Sequence, residues 1–222
     1  MSAQETTTEI YRLLYDAFGP QHWWPGETRF EIITGAILTQ NTSWTNVEKA
    51  IKNLKAADRL IPEKLHRLNH LQLAELIRPA GYYNVKAKRL KNFSDWLFEN
   101  YHGDLAALER IDTQRLRAEL LAIKGIGFET ADSILLYAFE RPVFVVDAYT
   151  ARIAVRHGLL EPDADYEQLR YLFESNLPQN PQLYNEYHAL LVRLGKDFCR
   201  PKAKCTGCPL ENLPHSIDVE YF

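Results

Sequence analysis

The residue best placed to do chemistry is one carboxylate at the end of an apolar run. Val143-Phe144-Val145-Val146 leads to Asp147, and helical periodicity resumes at once through Ala148, Arg152 and Val155. An Asp in that position can cap a helix by accepting a hydrogen bond from a free amide. Ionised, it can also stabilise a developing positive charge or take a proton from water. About twenty residues upstream, a helical stretch ends in Ile123-Lys124-Gly125-Ile126-Gly127, and a second helix is expected to open at Thr130-Ala131. Paired glycines around one apolar residue permit a tight turn that side chains would obstruct, and the amides that follow are suited to a phosphate oxygen.

Three further groups of residues carry chemical potential. Cys199, Cys205 and Cys208 fall within ten residues in a Cys-x5-Cys-x2-Cys pattern, poor material for a disulfide framework and better material for a metal site. Trp23-Trp24-Pro25 and, further on, Asn41-Thr42-Ser43-Trp44 supply flat aromatics. Such rings can sandwich an unstacked base, and a cationic alkylated purine adds a cation–π attraction to an indole, although tryptophans equally fill cores. Lys86, Lys88, Arg89 and Lys91 stand together without an intervening acid, and Lys196, Arg200, Lys202 and Lys204 surround the cysteines with only Asp197 opposing them. Runs of this kind serve phosphate contacts or simply a solvated surface.

In combination, Leu121-Ala122-Ile123-Lys124-Gly125-Ile126-Gly127-Phe128-Glu129-Thr130-Ala131 and Val145-Val146-Asp147 resemble the hairpin and catalytic-aspartate motif of the endonuclease III superfamily of helix-hairpin-helix DNA glycosylases. The resemblance runs from about residue 30 to 210: Phe30 to Thr42 matches the helix and loop that lead to the lesion, and Gly81-Tyr82-Tyr83-Asn84-Val85-Lys86-Ala87 a second DNA-facing loop. It implies Asp147 as the catalytic carboxylate. Gln40 and Tyr82 are the implied gap-filling or wedging residues, and Lys86, Gly125, Gly127 and Thr130 implied DNA contacts. Bifunctional members carry a lysine immediately before the Thr-Ala of the hairpin, whose amine forms a Schiff base with the sugar. Glu129 stands there in this chain and cannot form that imine, which implies a monofunctional enzyme with water as nucleophile. Trp-Trp-Pro with an aromatic after Gln-Asn-Thr is similar to the 3-methyladenine DNA glycosylase branch, in which positions matching Trp24, Pro25 and Trp44 line the base pocket. The adenine-removing branch carries a glutamate where this sequence has Ala36. The cysteine pattern resembles the family's [4Fe–4S] loop, which uses four thiolates. Here Pro214 stands near the place of the fourth and His215 follows, so the expected donor set is Cys199, Cys205, Cys208 and His215, with zinc or no metal as alternatives.

These groups need elements to hold them. Apolar residues recur at helical spacing at Ile10, Leu13, Leu14 and Phe18, at Ile32, Ile33, Ala36 and Ile37, and at Leu116, Leu120 and Leu121. Strand-like alternation is scarce; the best extended run, Pro142 to Val146, could equally lead into a helix. Glycine and proline breakers divide the chain into about ten helices, with no repeat or long linker. The expected fold is therefore all-α. The resemblance implies two helical domains flanking a cleft, a six-helix barrel over 22–132 and a second domain combining 1–21 with 133–222.

Composition sets the remaining bounds. With 46% hydrophobic and 25% charged residues the chain is an ordinary globular protein, not a disordered one. The net charge of −3 argues mildly against a nucleic-acid partner, so local clustering of the lysines and arginines decides. With neither a membrane-spanning run nor a signal-peptide pattern, a cytoplasmic, bacterial-type, nucleoid-associated monomer acting on duplex DNA with a damaged base is expected. Two functions compete: a glycosylase for an alkylated, 3-methyladenine-like or other base, and a DNA-damage-binding protein that has lost turnover.

Overall fold

Local capping chemistry starts most of the helices. In this computed structural model, which describes residues 2–218, Ser2 and Glu5 form a reciprocal capping box at the start of α1 (Ala3–Phe18). Thr28 caps α2 (Arg29–Leu38) and Ser43 precedes α3 (Trp44–Ala56). Pro62 opens the short α4 (Pro62–His66), and Asn69 with Gln72 boxes α5 (His70–Leu76), which a 3-10 turn at Arg78–Ala80 ends. α6 (Tyr83–Tyr101), α7 (Leu105–Glu109), α8 (Thr113–Ala122) and α9 (Phe128–Ser133) follow, and α9 runs on into a π-helical segment at Ile134–Ala138. Last come α10 (Ala148–Arg156), α11 (Tyr166–Asn176) and α12 (Pro181–Asp197). The described residues contain no strand, as the all-α expectation requires. Among the described residues there are twelve α-helices where about ten are expected, because α4 and α7 are single turns of five residues. α9 opens at Phe128, two residues before the expected Thr130.

Contacts divide the chain into two compact units, Pro25–Phe139 and Met1–Trp24 with Glu140–Phe222. The π-helical continuation of α9 carries the first unit to Phe139, beyond the expected 132. Within that unit α2 is the hub: Phe30, Ile33, Ala36, Ile37 and Leu38 are all buried, and it packs on α3, α6, α9 and the π segment. A helix apolar on nearly every face must be surrounded. α8 and α9 form the hairpin, clamped by a bidentate pair in which Arg117 Nε and Nη2 donate to Asp132 Oδ1 and Oδ2 at 2.6 and 3.0 Å. The Asp132 side chain is fully buried.

In the other unit α12 is central, packing on α1 and α10. Its Tyr187 meets Phe144 and Phe173 edge-on, Tyr184 meets Phe144 edge-on, Phe144 and Phe173 stack at 4.2 Å between centroids, and the Tyr187 hydroxyl donates to the Thr7 carbonyl at 2.8 Å. This aromatic cluster anchors the apolar run 143–146, which is buried, irregular backbone, and the Glu174 carboxylate accepts from the Phe144 amide at 2.9 Å. α10 and α12 approach closely at Gly195, where a Cβ would come within 2.3 Å of the Tyr149 ring. No helix among the described residues is long and apolar enough to cross a membrane.

Candidate active site

The apolar run delivers Asp147 to the N-terminus of α10. There it is the N-cap in extended conformation, and its Oδ1 accepts from the Thr150 amide at 2.8 Å. The cap therefore uses one oxygen and leaves the other to a different contact. Oδ2 faces His188 of α12, whose Nε2 lies 3.7 Å away, and the Asp147 side chain is only 12% exposed. Burial pushes the carboxyl up, but the contacts with His188 and Thr150 outweigh it and hold the group below the usual Asp range. The result is a sheltered carboxylate that stays ionised, the state needed to oppose positive charge or orient water.

The hairpin turn is built as its glycines require. Gly125 has φ of +99°, and a Cβ there would stand 2.5 Å from Arg89 Cγ, so both conformation and space exclude a side chain. Gly127 is the extended N-cap of α9, Ile126 plugs the turn into the core, and Lys124 and Glu129 are exposed on either side. Gln40 is bound into this turn: Nε2 donates to the Gly125 carbonyl at 3.1 Å and to Thr130 Oγ1 at 2.8 Å, while Oε1 accepts from Arg89. Thr130 is buried beneath it. Tyr82 stands 73% exposed at the N-cap of α6 in the left-handed region, directly after Gly81, which is also left-handed.

Within the basic run at 86–91, the structure turns one side chain inward. Lys86 is 1% exposed and donates to the Ala80 carbonyl at 2.7 Å; burial, with Arg89 nearby, pulls its ammonium down to about 8. Lys91 donates to the His66 carbonyl at 2.6 Å, leaving Lys88 as the exposed cation of the run. Lys86 is thus an internal tie that satisfies the turn before α6. The first tryptophan segment lies in the irregular stretch between α1 and α2: Trp24 is half-buried and Pro25 exposed. Trp44, also half-buried, is the first residue of α3. Neither indole belongs to the buried core of its unit.

Cys199, Cys205, Cys208 and His215 line one cavity together with Arg156. No three His, Cys, Asp or Glu side chains among the described residues come together as metal ligands. Cys199 Sγ instead accepts from Arg156 Nη1 at 3.4 Å, and the same buried guanidinium donates to the Arg200 and Pro201 carbonyls at 2.7 and 2.8 Å. His215 Nδ1 meets the Leu213 carbonyl at 2.8 Å, and its ring lies 5.6 Å from that of His157. A cluster held by thiolates needs four converging donors, whereas here three thiols and an inward arginine share the loop. Of the groups described, His188 and Arg156 were missed at the level of sequence. A histidine on the apolar face Tyr184, Tyr187, Leu191 of α12 was the available signal for the first.

With this geometry in hand, comparison with known proteins is direct. Residues 34–179 match the family described as HhH-GPD superfamily base excision DNA repair protein. A relative from Methanocaldococcus jannaschii, named a putative DNA repair glycosylase, is 53% identical over 211 residues, covering 94% of this chain and 96% of its own. Endonuclease III of Thermotoga maritima is 31% identical over 82% of this chain and 81% of its own. Among solved structures, Helicobacter pylori 3-methyladenine DNA glycosylase bound to 1,N6-ethenoadenine aligns with a TM-score of 0.74 and 32% identity over 88% of this chain and 98% of that one. An endonuclease III–DNA complex aligns with a TM-score of 0.81 over 96% of each chain, at 21% identity a likeness of fold. The chain belongs to the HhH-GPD superfamily of base excision DNA repair proteins.

Proposed function

We propose that this protein is a monofunctional DNA glycosylase that takes a damaged base, an alkylated purine of the 3-methyladenine kind, out of the duplex stack and hydrolyses its N-glycosidic bond. The observation that carries the reading is Asp147: a sheltered carboxylate with one oxygen committed to Thr150 and the other facing His188, held in its charged form. Loss of the base gives the deoxyribose oxocarbenium character, and an adjacent carboxylate stabilises that charge and orients or deprotonates the attacking water, as in glycoside hydrolysis. A base cannot be attacked inside its stack, so it is flipped out first. Gly125 and Gly127 offer the hairpin backbone to the phosphates, and Gln40 and Tyr82 act at the emptied stack. The likeness to the Helicobacter enzyme supports the choice of substrate. The loop of Cys199, Cys205, Cys208 and His215 has a structural role in this reading, with Arg156 binding its carbonyls and no step of the reaction passing through it.

Glu129 at the position of the Schiff-base lysine supports hydrolysis over lyase chemistry. Incubating the protein with a lesion duplex and borohydride is expected to trap no covalent complex, while free base accumulates in the untreated reaction. Efficient trapping would show an amine attacking the sugar and would sink the monofunctional reading, with Lys124 the first residue to replace.

The substrate class is tested at the indoles. Trp24→Ala and Trp44→Ala are expected to reduce release of cationic alkylpurines by about one to two orders of magnitude, as loss of a base–aromatic stack costs about 1–3 kcal/mol. Affinity for an abasic-site duplex should hold, because no base is present to stack and binding rests on backbone contacts. Equal loss of both functions together with a lowered Tm would instead make the tryptophans packing residues.

A further inference from the structure

We propose that His188 is a positioning residue for the reaction: from α12 its Nε2 edge fixes Oδ2 of Asp147 while the Thr150 amide fixes Oδ1, so the carboxylate is held in one orientation. This rests on the reading of Asp147 as the catalytic carboxylate. His188 is 95% buried on a face otherwise made of Tyr184, Tyr187, Ala189 and Leu191, where an aliphatic side chain would pack without desolvating a polar ring. The charged atom its ring meets is Oδ2, at 3.7 Å, an electrostatic contact slightly longer than a hydrogen bond.

The surroundings hold that ring in place. Trp23 meets it edge-on at 6.5 Å between centroids and 85° between planes. Two turns further along α12, the close approach of Gly195 to Tyr149 fixes the spacing of α12 and α10, and the Tyr187 hydroxyl bonded to Thr7 fixes the position of α12 against α1. Within this unit the groups acting on the Asp147 carboxylate are His188 from α12 and Thr150 from its own helix. With one oxygen capped by an amide, the other is left to the histidine. Removing His188 frees the carboxylate to turn about its cap and leaves burial unopposed by that contact.

The test compares His188→Leu, His188→Gln and His188→Asn in the full chain, measuring single-turnover base release from an alkylpurine duplex, its pH profile, Tm and affinity for an abasic-site duplex. Leu should lower release by about 10–100-fold, the range for losing a partner that orients a catalytic ligand, with abasic-site affinity unchanged. The acidic limb of its pH profile should move up, since the carboxylate loses a contact that favours its charge. Gln, whose amide nitrogen reaches about as far as Nε2, should restore most of the rate, and the shorter Asn should not. In an Asp147→Asn background, His188→Leu should add no further loss. Near-wild-type release by His188→Leu beside an inactive Asp147→Asn would overturn the positioning role and leave the proposed reaction standing. Full activity of Asp147→Asn would overturn both. Should the Leu variant fail to fold, Gln and Asn carry the comparison, since both are polar and differ in reach; equal rates for the two would overturn the proposal.

Discussion

Asp147→Asn is expected to release base about 10²–10⁴-fold more slowly than the wild type, the range for removing a positioned general base, while folding normally. Asparagine caps helices as well as aspartate does, so its side-chain oxygen can still accept from the Thr150 amide, and shape and cap survive while the charge is lost. Circular dichroism, Tm and affinity for an abasic-site duplex should be unchanged. The pH dependence has a definite sign. The folded pKa lies below the unfolded value of about 3.9, so the charged group adds stability above that pH and loses it as pH falls through the folded pKa. The limb of the rate profile set by this group therefore lies below pH about 4, and activity from pH 5 upward is not limited by its protonation.

The largest stability effect should come from the clamp across the hairpin. Asp132 is fully buried and receives both donors of Arg117, which is itself 15% exposed and lies 5.4 Å above the Phe128 ring. Asp132→Ala removes the buried carboxylate that accepts both guanidinium donors, and breaking such a buried pair costs about 3–5 kcal/mol. For a chain of this size that corresponds to a fall in Tm of roughly 6–20 °C, read by differential scanning calorimetry. Replacing both residues with apolar side chains should recover much of the loss, because a buried ion pair gains little over good packing once neither charge is left alone. A single Asp132→Ala variant with wild-type Tm would show that the hairpin is held by its apolar contacts alone.

What could be read in the sequence was what backbone geometry or local periodicity dictates. Gly125 was legible because a turn with φ of +99° facing the Arg89 side chain admits one residue type, and that demand is written in the residue itself. Asp147 was legible because a carboxylate ending a four-residue apolar run is costly unless it is capped or used. The burial of Lys86 was not legible because exposure is decided by tertiary contact: the same side chain can reach outward or fold back onto the Ala80 carbonyl, as it does. The partners of His188 and Arg156 were hidden for the same reason. Each acts on a partner about forty residues away along the chain, Asp147 and Cys199 respectively. The bonds of Gln40 to Gly125, Thr130 and Arg89 were not legible, because all three partners are distant in sequence.

The central claim, hydrolytic removal of a damaged base through Asp147, is tested most directly by one reaction on a labelled duplex with a single 3-methyladenine-type lesion. Free base is quantified in parallel with strand breaks before and after alkali, for the wild type and for Asp147→Asn. The account predicts that wild-type base release equals the alkali-revealed breaks, that no breaks precede alkali, and that the variant yields neither within the same time. Breaks appearing without alkali in proportion to released base, or base release by the variant at the wild-type rate, would contradict it.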